Sequence, residues 1–178
     1  MVSGVIHLGF LTVFPETNGY VGGYLVTNSW GRPLEFRLST AVQPNRIQQI
    51  LYGRTMPEYV CADLIGKTLI DKTTTPVQLL FTDSLAVLPI RSRTETPIVA
   101  VLTQDDPRAA LLADEQYCPL SDPHSTTPLY YAARYAHDRE RISELLERID
   151  GGVDLSEPFV RIREAMVEAR KMGVTQRG

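Results

Sequence analysis

The sequence predicts an α+β protein, an antiparallel sheet in the order βββ-αα-βββ followed by a C-terminal helical hairpin. Three observations lead there. Glycine, β-branched and aromatic residues concentrate before residue 104, in short runs that alternate apolar and polar positions or are continuously apolar. Between residues 44 and 72 the apolar residues switch to helical spacing. Beyond residue 127, long stretches without glycine or proline carry apolar residues at i, i+3, i+4 and i+7. The expected division is therefore a sheet domain over 1–103 and a helical C-terminal region over 104–178, made of a linker and the hairpin.

The first strand runs from Val5 to Phe14 and is stopped by Pro15. Glu16 to Gly19 is a turn, with Asn18-Gly19 suited to positive φ. Tyr20 to Asn28 is the second strand, where Gly22 and Gly23 are expected to permit a bulge or a tight strand start. After the turn Ser29 to Pro33, Leu34 to Ser39 alternates at period two and completes a meander. Pro44 opens a short helix with Ile47, Ile50 and Leu51 on one face, ended by Gly53. Thr55 to Glu58 has the form of a capping box for a second helix that reaches Lys72. Val77 to Phe81, Leu85 to Ile90 and Pro97 to Leu102 read as three further strands. The tail adds a turn at Gln104 to Pro107, a short helix over Arg108 to Asp114 and a loop from Tyr117 to Ser125. Thr127 and Pro128 then cap a helix over Leu129 to Ile149, with Ile142, Leu145, Leu146 and Ile149 on one face. Gly151-Gly152 breaks it. A last helix starts at Ser156 and places Phe159, Ile162, Met166 and Ala169 together.

Charge follows the same division. The chain carries a net charge of −3. Residues 1–100 are nearly balanced, and the acidic excess lies in residues 101–178. That balance argues against a nucleic-acid partner. The N-terminus lacks the basic and apolar regions of a signal peptide, and no run approaches the ~18 apolar residues of a membrane helix. Two cysteines, Cys61 and Cys118, allow one disulfide but no disulfide framework. A cytoplasmic, non-membrane protein with two free thiols is the expectation.

The chemistry-bearing residues are sparse. His7, Cys61, Cys118, His124 and His137 have none of the paired short spacings of a structural zinc site, so neither a metal nor a cofactor is expected. Cys118 and His124 share a loop and are the better candidates for a thiolate pair. Cys61 sits in mid-helix, a poor place for a nucleophile. Gly66-Lys67-Thr68 resembles the end of a phosphate-binding loop but lies inside a helical pattern without the preceding glycine. Glu35 and Arg37 point to one face of a strand. Asp105-Asp106 is a solvated turn, and Glu58 and Asp63 share a helix without a base opposite.

Aromatic residues are more suggestive. Tyr117, Tyr130, Tyr131 and Tyr135 lie in one short stretch, with Arg134 and His137 adjacent. On a helix, Tyr131 and Tyr135 share a face. Tyrosine pairs an apolar body with a polar tip, so the cluster is expected either to seal the helical hairpin against the α+β domain or to form a partner interface.

The element order, with the hairpin from Gly23 to Phe36, resembles the profilin-like class that includes PAS, longin and roadblock domains. The resemblance covers residues 5–102 and implies one curved antiparallel sheet. It brings no diagnostic motif, so no site residue carries over.

The functional expectation is a non-enzymatic protein-interaction or scaffold subunit, working with a protein partner or as a homodimer. The candidate interface residues are Tyr130, Tyr131, Tyr135 and Phe159. A small-ligand-sensing module of PAS type is the alternative, and a hydrolase using Cys118 and His124 the second alternative.

Overall fold

The β-branched and aromatic run after Ile6 forms a ten-residue strand of the structure, a computed structural model that describes residues 4–17, 19–102, 116–124 and 127–173. This strand, β1 (His7–Glu16), pairs antiparallel with β2 (Gly19–Asn28) along its whole length. β3 (Pro33–Leu38) pairs antiparallel with β2. The turn between them is held by Asn28, whose Oδ1 accepts from the Trp30 and Arg32 amides at 3.0 Å each. This is the meander that the alternation predicts.

Helix α1 (Arg46–Tyr52) follows. A short 3-10 turn (Gly53–Thr55) leads into α2, a continuous helical run through Met56–Glu58, a π-helical stretch Tyr59–Gly66 and Lys67–Lys72. The capping box is at Asn45 and Gln48 and not at Thr55 and Glu58. Asn45 Oδ1 accepts from the Gln48 amide at 2.8 Å, and Gln48 Oε1 accepts from the Asn45 amide at 2.9 Å. Thr55 instead donates its hydroxyl back to the Tyr52 carbonyl.

The architecture is α+β, but the sheet is mixed and the antiparallel βββ-αα-βββ order does not hold. β4 (Leu79–Thr82) lies parallel beside β1, and β5 (Ile98–Val101) lies parallel beside β4. The run Leu85 to Ile90 is not a strand. It lies in a 3-10 segment, Leu85–Arg93, where Pro89 has no amide to give to a ladder. Two strands replace it. β6 (Tyr117–Leu120) and β7 (Leu129–Ala132) pair antiparallel, and β7 pairs antiparallel with β5. The seven strands run β3-β2-β1-β4-β5-β7-β6, so one sheet continues on both sides of residue 103. A sheet with parallel β1, β4 and β5 at its centre departs from the profilin-like arrangement.

The expected helix over Leu129 to Ile149 begins late. β7 takes its first four residues, a 3-10 segment (Ala133–Asp138) follows, and α3 spans Arg139–Glu147. α4 spans Glu157–Lys171. The two helices do not make a clear hairpin. Their predicted faces are buried, but against the sheet. Ile142, Leu145, Leu146 and Ile149, with Phe159, Ile162 and Met166, join Leu8, Phe10, Phe81, Val99, Val101 and Tyr131 in one core. Phe10 stacks on Phe81 at 5.1 Å and meets Phe159 edge-on at 5.7 Å.

The other sheet face presents Leu11, Val13, Tyr24, Val26, Leu80 and Ala100 to α2 and the 3-10 segment after β4. Gly22 and Gly23 serve this two-sided packing rather than a bulge. A Cβ on Gly22 would stand 2.4 Å from Ile65 Cγ2 of α2, and one on Gly23 would stand 2.4 Å from Ile162 Cγ2 of α4. Neighbouring strand residues face opposite sides, so each glycine admits one helix. Among the described residues, no helix is long and apolar enough to cross a membrane. The expected turn at Asp105-Asp106 and the helix over 108–114 lie outside the described residues, as does Asn18.

Candidate functional site

The 3-10 segment after β4 and the one after β7 meet at a buried ion pair. Arg91 donates from Nε to Asp138 Oδ2 at 2.7 Å and from Nη2 to Asp138 Oδ1 at 3.1 Å. Its Nη1 donates to the Thr94 carbonyl at 2.7 Å. Both side chains are buried, and the hydrogen bonds to Asp138 raise the Arg91 guanidinium further above its ordinary value, against the effect of burial. The planar fork of arginine suits this two-point contact.

Tyr135 is placed by that pair. The Arg91 guanidinium carbon lies 4.7 Å from the Tyr135 ring centroid, and that of Arg134 lies 5.5 Å away. The backbone at Tyr135 leaves helical geometry, with φ −112° and ψ 39°. His137 meets the same ring edge-on at 6.0 Å and has Nε2 3.5 Å from Asp138 Oδ1.

This aromatic wall borders a cleft of about 360 Å³. Leu85, Leu88 and Pro89 supply its apolar lining. Glu58, Gln116, Tyr117, Arg134 and Tyr135 supply polar ends. Among the described residues, the Glu58 carboxylate and the Arg134 guanidinium make no hydrogen bond or ion pair. The cleft therefore offers apolar surface between a carboxylate and a guanidinium, a size and composition suited to a side chain or small molecule.

The four expected interface residues separate. Because Leu129–Ala132 is a strand, Tyr130 and Tyr131 point to opposite faces. Tyr131 is buried in the core under α3 and α4, and so is Phe159. Tyr130 packs half-buried on the α2 side together with Tyr117. Tyr135 is half-buried and reaches the cleft. Arg91, Asp138 and the leucines of the cleft were not singled out by sequence. The signal that was there is an arginine closing the apolar run Leu85 to Ile90, since a buried arginine needs a carboxylate.

The remaining candidates have structural partners. Cys118 faces Tyr131 across the β6–β7 pair. Burial, and then the neighbouring Cys118 thiol, raises the Tyr131 phenol. The His124 ring lies beside Gly151, and among the described residues no hydrogen bond joins Cys118 to His124. Burial pushes the Cys61 thiol up to about 11, away from a thiolate. Lys67 pairs with Asp71, and the Thr68 hydroxyl donates to the Leu64 carbonyl within the helix. Glu35 takes Arg37 Nε at 3.0 Å and clasps the chain before β4, accepting from the amides and hydroxyls of Thr74 and Thr75. Burial pushes its carboxyl up, but these hydrogen bonds outweigh that and hold it at about 2. Among the described residues no three His, Cys, Asp or Glu side chains gather to hold a metal ion.

No family model matches the chain, and no curated protein matches it. Among solved structures, it is similar to the crystal structure of a protein of unknown function from Archaeoglobus fulgidus DSM 4304. The two share 8% identity at a TM-score of 0.47, over 78% of this chain and 85% of that one.

Proposed function

We propose that the chain is a non-enzymatic recognition protein, an adaptor or subunit of a cytoplasmic assembly, that docks a protein partner at the cleft beside Tyr135. The single observation that carries this reading is the preorganisation of Tyr135. A buried ion pair that uses Arg91 for internal bonds alone fixes an aromatic ring at the edge of an open cleft. Rigid aromatic and arginine groups around apolar surface are the residue types that anchor partner side chains. The two unpaired thiols fit the cytoplasmic setting.

The test is co-purification of the native protein with the variants Tyr135→Ala and Arg134→Gln, alongside a measurement of oligomeric state. Loss of a partner, or of a homodimer, in both variants supports the reading. Unchanged partner recovery and unchanged oligomeric state remove the cleft from consideration. Tyr131→Ala and Phe159→Ala are unsuitable for this purpose, because both side chains are core.

A second reading, a small-ligand sensor, is favoured by the opposite charges of Glu58 and Arg134 across one cleft. Native mass spectrometry of the purified protein separates the two, since a retained adduct lost in Arg134→Gln belongs to the sensor.

A further inference from the structure

Helix α1 has seven residues, and none of them is buried. Ile47, Ile50 and Leu51 are 68%, 65% and 77% exposed, and the i, i+3, i+4 spacing puts them on one stripe. A helix this short is marginal in water, and tertiary burial of an apolar face is what ordinarily sustains it. Here local devices do that work instead. The Asn45–Gln48 capping box closes the N-terminus. Gly53, at φ +52°, ends the helix and returns its amide to the Gln49 carbonyl. Tyr52 stacks on Tyr59 of α2, ring centroids 3.9 Å apart at 12°. The helix is built before anything covers its apolar stripe.

Charge says what covers it. From Phe36 to Pro57 the sequence holds no Asp or Glu, but it holds Arg37, Arg46 and Arg54. Arg37 is paired with Glu35. Arg46 and Arg54, one at each end of α1, are exposed and make no ion pair among the described residues. Arg46 stands in the first helical turn, where a cation opposes the helix dipole, and no acid accompanies it there. Two-fold pairing of α1 with a second copy would set Arg46 against Arg54 or against itself, which is repulsive either way.

We infer that α1 is the docking surface for an acidic amphipathic segment of a protein partner, whose apolar stripe covers Ile47, Ile50 and Leu51 between carboxylates that meet Arg46 and Arg54. This names the chemistry of the partner in the protein-recognition reading, and it stands on residues that do not line the cleft. The binding mode is helix packing on an exposed apolar stripe with charge-selected register.

The test uses the full chain and two synthetic amphipathic helical peptides with one leucine stripe, flanked by glutamates in one and by lysines in the other. Fluorescence anisotropy is expected to show binding of the glutamate peptide only, weakened by added salt. Leu51→Asp is expected to reduce that affinity at least about tenfold. The Arg46→Glu/Arg54→Glu double variant is expected to prefer the lysine peptide. Thermal unfolding of Leu51→Asp is expected to match wild type, because the side chain is exposed. Three results overturn the inference: binding of neither peptide, equal binding of both, or a dimer in sedimentation that Leu51→Asp converts to monomer. Tyr135→Ala distinguishes the cleft. If it abolishes partner recovery while Leu51→Asp leaves peptide binding intact, the α1 inference fails and the cleft reading stands. If peptide binding depends on Leu51 and partner recovery ignores Tyr135, the reverse holds.

Discussion

Arg91 and Asp138 lie 47 residues apart in the chain, and they form a buried ion pair joined by two hydrogen bonds. The pair ties the segment that follows β4 to the segment that follows β7. A buried pair contributes little net stability against an apolar replacement, but removing one member strands the other charge. Asp138→Ala is therefore expected to destabilise the protein by about 3–5 kcal/mol, read by chemical denaturation. The double variant Arg91→Leu/Asp138→Leu is expected to recover most of that loss. A double variant no more stable than Asp138→Ala would refute this account.

Glu35 sets a pH response. Its carboxyl is lowered from an ordinary 4.5 to about 2 in the folded protein. A depressed acid contributes stability that is complete above the unfolded value and is lost as pH falls through the folded one. The clasp on Thr74 and Thr75 should thus weaken progressively below pH 4.5 and be gone below about pH 2. Comparing wild type with Glu35→Gln across that window by thermal unfolding checks it. The difference between the two proteins should shrink as the pH drops.

The two thiols should react unequally. Cys61 is buried with its thiol raised to about 11, while Cys118 is half-buried on an edge strand. Iodoacetamide at neutral pH is expected to label Cys118 first and Cys61 only as the protein opens, followed by intact mass and peptide mapping. Early labelling of Cys61 would contradict its burial.

Gly23 should resist substitution. A methyl there would collide with Ile162 Cγ2 in α4, so Gly23→Ala is expected to cost about 1–3 kcal/mol. In the Gly23→Ala/Ile162→Ala double variant the combined loss should fall short of the sum of the single losses, since the new methyl then enters the space left by Ile162. Strict additivity, measured by urea denaturation, would argue against this close approach.

What was legible in the sequence was local. The meander from His7 to Leu38 follows from alternation and turn residues. The buried faces of α3 and α4 follow from apolar spacing, down to Ile142, Leu146, Ile162 and Met166. Direction of pairing was not legible. Leu79–Thr82 and Ile98–Val101 are short, continuously buried runs, and nothing in four buried residues states whether a neighbour runs parallel. Leu129–Ala132 was overridden by context, because the exposed edge of β5 accepts it as a strand where its composition also suits a helix. That switch of period sends Tyr131 inward and leaves Tyr135 at the cleft. The partner of Arg91 could not be read because it depends on tertiary closure across the sheet.

The mixed sheet also implies an order of assembly. β1 and β2 can pair as a local hairpin, whereas pairing Leu8 with Leu79 closes a loop of about 70 residues. The entropy of that closure is spent before the parallel contacts repay it, so the β1–β4 seam is the slow step and the hairpin the early one. Substitutions along the seam, at Phe10 or Phe81, should then slow refolding more than substitutions in β3 do.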